Sequence, residues 1–212
     1  MIRFLAHRGH WEAAEERNTS AALRRAFVGG FGVETDVRDH CGELVIAHDK
    51  PNGTELSFAD FLGLLPSDVP ADALPLAINV KADGLAADIA MAMSGRPAGS
   101  WFAFDMSVPD LLAYVRIGLP AYTRVSEYET DPVALEACRG IWVDAFNRDW
   151  MDFARLHAFL DRGKGIALVS PELHRRDPQD FWDKLRSDGL WRRSGVFLCT
   201  DFPTKAQTFF GL

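Results

Sequence analysis

The sequence predicts an α/β protein, a (β/α)8 TIM barrel built from residues 1–212 as a single compact domain. Three observations carry that expectation. Eight short apolar runs alternate with stretches of helical pattern, the alternation expected of a parallel sheet wrapped by helices. Most of the runs are apolar throughout, as strands covered on both faces require. Nearly every run also finishes in a polar residue, and the site of such a barrel is formed where its strands end. Alternation does not say whether the sheet closes, so an open doubly wound sheet is the alternative.

The strand candidates, in order, are Ile2–Ala6, Gly32–Val37, Leu76–Val80, Trp101–Phe104, Ala121–Val125, Gly140–Val143, Ile166–Val169 and Val196–Cys199. A further apolar run, Leu44–Ala47, reads as an extra strand or extended loop after the second barrel strand. Between the strands, Asn18-Thr19 opens a helix carrying Ala22, Leu23, Ala26 and Phe27, which Gly29-Gly30 ends. Ser57 with Asp60 opens a short helix before Pro66, and Ser107, Pro109 and Asp110 open another that stops near Gly118. Asp177, Pro178 and Asp180 start a later one, with Pro suited to the first turn. Helices are also expected over Leu85–Ser94, Trp150–Asp161 and Lys205–Phe210, and a less regular one over Pro132–Ala137. Lys50–Ser57 reads as the one small excursion.

Composition limits the class of protein. A chain of 212 residues with 48% hydrophobic content can bury one full core. The formal net charge of −7 opposes nucleic-acid binding, which relies on a basic footprint, so no nucleic-acid partner is expected. No apolar run approaches the roughly 20 residues that span a bilayer, so no transmembrane segment is expected. The N-terminus MIRFLAHRG enters the first strand at once, which leaves no room for a signal peptide. Cys41, Cys138 and Cys199 are odd in number and widely spaced, which fits neither a disulfide framework nor a zinc site. A reducing, cytoplasmic location follows as the simplest reading.

The chemistry is concentrated in the first quarter of the chain. Glu34 and Asp36 stand two apart in a strand, so both carboxylates leave the sheet on one face. Two such groups repel and resist desolvation unless a cation or a proton lies between them. The first apolar run delivers His7 and Arg8, the extra run delivers His48 and Asp49, and the third barrel strand ends in Asn79 and Lys81. Further along, Asp105, Arg124, Glu127, Asp144, Ser170, Glu172 and Asp201 follow the later strands. Asp105 and Asp201 can equally be helix caps or turn residues.

These residues resemble the pattern of the glycerophosphodiester phosphodiesterase family, in a divergent small form. The matches are His7-Arg8-Gly9, Asn18-Thr19, Glu34-Thr35-Asp36, Gly42 and His48-Asp49, in the family's order and approximate spacing, with Asn79-Val80-Lys81 a partial match. The likeness is dense over residues 4–83 and only architectural beyond. Arg17 stands where the family has a Glu, and Asn79 where it has an acidic metal ligand.

The resemblance implies a metal-dependent phosphodiesterase acting on a glycerophosphodiester-like or other small or lipid-derived phosphodiester. In that reading His7 and His48 are general acid and base, in either order, a task imidazole suits because it titrates near neutrality. Glu34, Asp36 and Asn79 would hold one divalent cation, Mg²⁺, Ca²⁺ or Mn²⁺, and Arg8 and Lys81 would bind the phosphate. The expected partner is a small-molecule phosphodiester. Two further readings stay open: a non-catalytic or regulatory phosphate-binding barrel, favoured by Asn79 and Arg17, and an unrelated hydrolase or aldolase with Lys81 as nucleophile. Specificity is expected in the later loops, around Trp142, Trp150 and Glu172-Leu173-His174, with Trp11 able to pack on a sugar or glycerol face.

Overall fold

The computed structural model describes all residues, Met1–Leu212. The strands are β1 (Arg3–His7), β2 (Gly32–His40), β3 (Glu43–Ile46), β4 (Leu76–Val80), β5 (Trp101–Phe104), β6 (Tyr122–Val125), β7 (Gly140–Val143), β8 (Gly165–Val169) and β9 (Val196–Thr200). The helices are α1 (Ser20–Val28), α2 (Phe58–Leu62), α3 (Ala86–Ala92), α4 (Val108–Arg116), α5 (Phe153–Asp161), α6 (Gln179–Asp188) and α7 (Pro203–Phe210). Each of the eight apolar runs becomes a strand, with ends shifted by a residue or so except at β2.

Eight strands pair in parallel in the order β5-β4-β2-β1-β9-β8-β7-β6, which is the order around a barrel. The ring is nearly closed. A single parallel bridge joins Ala103 to Ala121 between its two end strands, and the Ala103 amide donates to the Pro120 carbonyl at 2.9 Å. β3 lies off this path and pairs antiparallel with β2 alone. It forms a hairpin through Cys41 and Gly42, both at positive φ, as the tightest two-residue turns require. This hairpin is why β2 runs three residues past its expected end.

Helix starts follow the capping residues. Thr19 accepts from the Ala22 amide, Ser57 from Asp60, Ser107 from Asp110 and Asp152 from Ala154. α5 therefore begins at Phe153, later than Trp150 as the pattern suggests. The expected helix over Pro132–Ala137 is absent: the segment is a run of turns, and Ala134 at φ 52° breaks any right-handed helical path.

Two apolar layers result from the two faces of each strand. Outward residues such as Val33, Val37, Ile78, Ile141 and Leu168 pack under the helices. Inward residues, including Leu5, Ala77, Phe102, Phe104, Tyr122, Trp142 and Phe197, fill the barrel itself. Phe102 stacks on Tyr122 and Phe104 on Trp142, each at 3.8 Å between centroids. Room for Tyr122 comes from missing side chains opposite it. A Cβ at Gly165 would fall 2.0 Å from the Tyr122 hydroxyl, and one at Gly140 2.4 Å from its Cζ. With the interior plugged in this way, the barrel is open to a ligand only at its C-terminal mouth.

Candidate active site

At that mouth a cavity of about 410 Å³ brings together His7, Arg8, Glu34, His48, Asn79 and Lys81 with Arg17, Asp105, Arg124, Asp144, Glu172, His174, Arg175 and Asp201. Of the ionisable candidate residues singled out in the first part of the chain, Asp36 and the exposed Asp49 are not on the cavity wall. Asp36 sits fully buried just behind it. Among the later polar residues, Glu127 and Ser170 are also off the wall. Glu127 instead accepts from the amides of Phe146, Asn147 and Arg148 and braces that loop, which holds its carboxyl below the ordinary range against the opposing effect of partial burial.

The turn after β1 explains how His7 and Arg8 are presented. Arg8 and Gly9 both have positive φ, at 56° and 91°, so the chain doubles back immediately after the strand. A Cβ on Gly9 would lie 2.7 Å from the Ala22 carbonyl carbon, which is why the turn against α1 demands glycine. Asn18 closes the same turn, its amide donating to the Arg8 carbonyl at 2.9 Å.

Asp201 reaches His7 from the end of the last strand: its Oδ1 lies 2.6 Å from His7 Nδ1. A carboxylate accepts only, so the proton of that contact belongs to Nδ1 and leaves Nε2 free. Nε2 stands 3.9 Å from Glu34 Oε2. Asp201 lies in the bend before α7, whose N-cap is Phe202, and its side chain is the partner of His7. Its own backbone amide donates to Glu172 Oε1 at 3.1 Å, and Glu172 also accepts from the Thr200 and Ser170 hydroxyls. Burial pushes the Glu172 carboxyl up, and these hydrogen bonds pull the other way.

Asp36 is surrounded by donors. Arg8 Nε lies 2.8 Å from its Oδ2, Asn18 Nδ2 donates to the same oxygen at 2.9 Å, and Lys81 Nζ stands 3.7 Å from Oδ1. Glu34 is less well provided for. It accepts from Asn79 Nδ2 at 3.0 Å, and its pKa is raised by burial first and by the Asp36 charge second. Glu34 Oε2, Asp36 Oδ1 and Asn79 Oδ1 are all buried with no hydrogen-bond partner. Three orphaned oxygens are the donor type a hard divalent cation takes, so these residues fit one. The set is lean, because no group of three or more His, Cys, Asp or Glu side chains is gathered to hold a metal. Asp83 does not supplement it, since its carboxylate is taken by the Ser107 hydroxyl at 2.6 Å.

The remaining expectations fall into place around this centre. His48 lies on the wall but is half exposed, with Nδ1 2.9 Å from the exposed Asp49. Arg38 holds its backbone by donating to the His48 carbonyl at 3.0 Å. Lys81 is 3.2 Å from Asp105, which also binds Arg124. Two acidic neighbours are the reverse of the apolar or cationic setting a Schiff-base lysine needs, which removes the support for an aldolase. Arg17 joins the cavity with Nη2 3.6 Å from Asp201 Oδ2, stacked over the Trp11 ring at 4.3 Å. Trp11 in turn donates to the His7 carbonyl at 3.0 Å, so it supports the site from behind. Sequence reasoning did not single out Arg175 or foresee the Asp201 contact. The signal for the latter was the polar pair Thr200-Asp201 ending the last apolar run.

The structure thus defines a parallel barrel with histidines, acids and fixed cations gathered at its C-terminal mouth. No family model matches the sequence, and no curated protein does. Solved structures do match over the whole chain. A Galdieria sulphuraria protein assigned as a glycerophosphodiester phosphodiesterase superposes with a TM-score of 0.76 at 12% identity, covering 100% of this chain and 98% of that one. An Oleispira antarctica phosphodiesterase, solved with its product sn-glycerol-3-phosphate, gives 0.73 at 17% identity over 100% and 98%. More distant is a Ca²⁺-dependent phosphatidylinositol-specific phospholipase C from Streptomyces antibioticus, at 0.57 and 12% identity over 99% and 98%. The fold is the one that these glycerophosphodiester phosphodiesterase structures share.

Proposed function

We propose that this protein is a metal-dependent phosphodiesterase, a phosphoric diester hydrolase acting on a glycerophosphodiester-like or other small or lipid-derived phosphodiester. The observation that carries the reading is the trio of buried oxygens without hydrogen-bond partners on Glu34, Asp36 and Asn79, with Glu34 and Asn79 on the wall of the pocket that holds His7, Arg8 and Lys81 and Asp36 buried behind it. These three residues would hold one divalent cation, Mg²⁺, Ca²⁺ or Mn²⁺, which when bound supplies Lewis-acid polarisation of the phosphoryl oxygens. Arg8 and Lys81 add fixed positive charge for the anionic diester.

His7, with Nδ1 committed to Asp201, takes a proton from the attacking water on Nε2. His48, on the solvent side of the cavity, gives one to the leaving alcohol oxygen as the phosphorus–oxygen bond to that alcohol breaks. A new bond from the water oxygen to phosphorus replaces it, and solvent restores both histidines. The structural neighbours support the phosphodiester class through their fold. The three free thiols support a reducing, cytoplasmic setting, and no helix is long and apolar enough to cross a membrane.

The second reading, a phosphate-binding barrel without turnover, rests on two features: Asn79 brings no charge, and Asp36 is already engaged by Arg8 and Asn18. A generic diester assay in EDTA, then with Mg²⁺, Mn²⁺ or Ca²⁺ restored, tests the choice. Hydrolysis that appears only with a cation supports the enzyme; none with any of the three selects the binding barrel.

A further inference from the structure

Lys81 stands between two acids. Its Nζ is 3.2 Å from Asp105 Oδ2 and 3.7 Å from Asp36 Oδ1. Only the first contact is a hydrogen bond, so Asp36 Oδ1 stays buried without a partner although an ammonium is close by. That choice is not the one the surroundings favour. Asp36 is fully buried while Asp105 is partly open to solvent, and a pair of opposite charges attracts more strongly in the drier place.

The reason lies in how Asp105 is held. Arg124, on β6, donates to Asp105 Oδ1, which leaves Oδ2 turned to Lys81. Arg124 is pinned in turn, its Nε donating to Glu129 Oε2. Asp105 itself has φ 70°, a left-handed backbone that Asp adopts more readily than most residues but still at a cost. The contact also crosses the seam of the ring. The backbones of β5 and β6 share the single bridge from Ala103 to Ala121, and nearer the mouth the Asp105–Arg124 pair joins them instead. Lys81, just past the end of β4, is drawn to that junction.

The consequence falls on Glu34, Asp36 and Asn79. Released from Asp105, the ammonium has only a short way to swing to Asp36 Oδ1, one of the three oxygens that suit a divalent cation. Ammonium and divalent ion seek the same lone pairs and repel each other, so one excludes the other. We propose that Asp105, braced by Arg124, is a positioning residue that holds Lys81 off Asp36 and keeps Asp36 Oδ1 available to a divalent cation. The proposal rests on the cation site of the proposed function and extends it to two residues outside the ligand set.

Calorimetric titration of Mg²⁺ and of Ca²⁺ into the full chain tests this without turnover. Asp105→Asn keeps the size and the tolerance of a left-handed backbone but loses the charge that retains Lys81. It should bind the ion about tenfold more weakly than wild type, the scale of one charge-assisted contact. In the Lys81→Met background no ammonium competes, so adding Asp105→Asn should leave affinity close to that of Lys81→Met alone. Arg124→Gln should weaken binding in the same direction and be corrected by Lys81→Met as well. Melting curves identify a variant that fails to fold, and if Asp105→Asn does, the Arg124→Gln cycle carries the test. Wild-type affinity in Asp105→Asn overturns the proposal. So does an equal loss in both backgrounds, which would mean that Asp105 acts only through its own charge on the ion. A wild-type protein that binds neither ion overturns the cation site and the proposal together. The expected cycle in a protein that hydrolyses no diester refutes the phosphodiesterase reading and leaves the proposal standing.

Discussion

His7 Nδ1 and Asp201 Oδ1 lie 2.6 Å apart, joining the end of the first barrel strand to the end of the last across 194 positions of sequence. β1 and β9 are paired neighbours, with Ala6 opposite Thr200, so the next residue of each strand meets the other at the mouth. The contact sets the ring's tautomer and aims Nε2 toward Glu34. It makes the proposed role of His7 depend on a residue that has no local connection to it.

His7→Ala and His48→Ala should each lower kcat by at least about 10²-fold, the usual scale for a general acid or base. Asp201→Asn should lower kcat while leaving KM near its wild-type value, because the amide can hold the ring in the wrong tautomer. Steady-state kinetics with a soluble diester measures all three. Near-native turnover in either histidine variant removes that residue from the mechanism.

Removing the cation should cost activity far more than stability. The apolar layers inside and outside the barrel do not involve Glu34 or Asp36, so melting in EDTA should fall by only a few degrees while hydrolysis is lost. Unfolding on chelation would make the ion structural.

Asn79→Glu sharpens that test. The substitution replaces the donor that now reaches Glu34 Oε1 at 3.0 Å with a third buried carboxylate beside Glu34 and Asp36. In EDTA the variant should melt below wild type, at about 2–4 °C per kcal/mol lost for a domain of this size. With Mg²⁺ or Ca²⁺ it should recover more than wild type does and bind the ion more tightly by calorimetry. Equal affinities in the two proteins would show that Asn79 is not a ligand.

Glu172 gives a pH-dependent prediction. Its carboxyl is pushed up by burial, so its folded pKa lies above the unfolded value. The associated stability is complete below the unfolded pKa, near 4.3, and is lost as pH rises through the folded one. Glu172→Gln cannot ionise, so its melting temperature relative to wild type should climb between pH 4 and pH 7.5. A difference that stays flat across that range would show that the carboxyl is not destabilised by burial.

Gly165→Ala should destabilise the barrel, since the new Cβ meets the Tyr122 hydroxyl at 2.0 Å. Overpacking of this kind costs about 1–3 kcal/mol. Adding Tyr122→Phe removes the nearest atom and should return part of the loss, measurable by urea unfolding of the single and double variants.

The sequence by itself determined the strands, and with them much of the candidate site. A parallel barrel strand is buried on both faces, so its apolar run is visible without neighbours, and β4, β5 and β7 keep the very ends expected of them. Parity along β2 and β4 put Glu34, Asp36, Asn79 and Lys81 on a common side, and His7 lay where its run stops. Tertiary structure decided everything that spans the barrel. Whether the sheet closes depends on strand stagger, here sealed by one bridge from Ala103 to Ala121. The partner of His7, the capture of Asp36 by Arg8, Asn18 and Lys81, and the pairing of His174 with Asp144 all join residues that the chain keeps apart. Periodicity reports which face a side chain takes but not which strand stands beside it. That is fixed only when the ring forms and the inward aromatics, Tyr122 against Gly140 and Gly165 among them, lock its register.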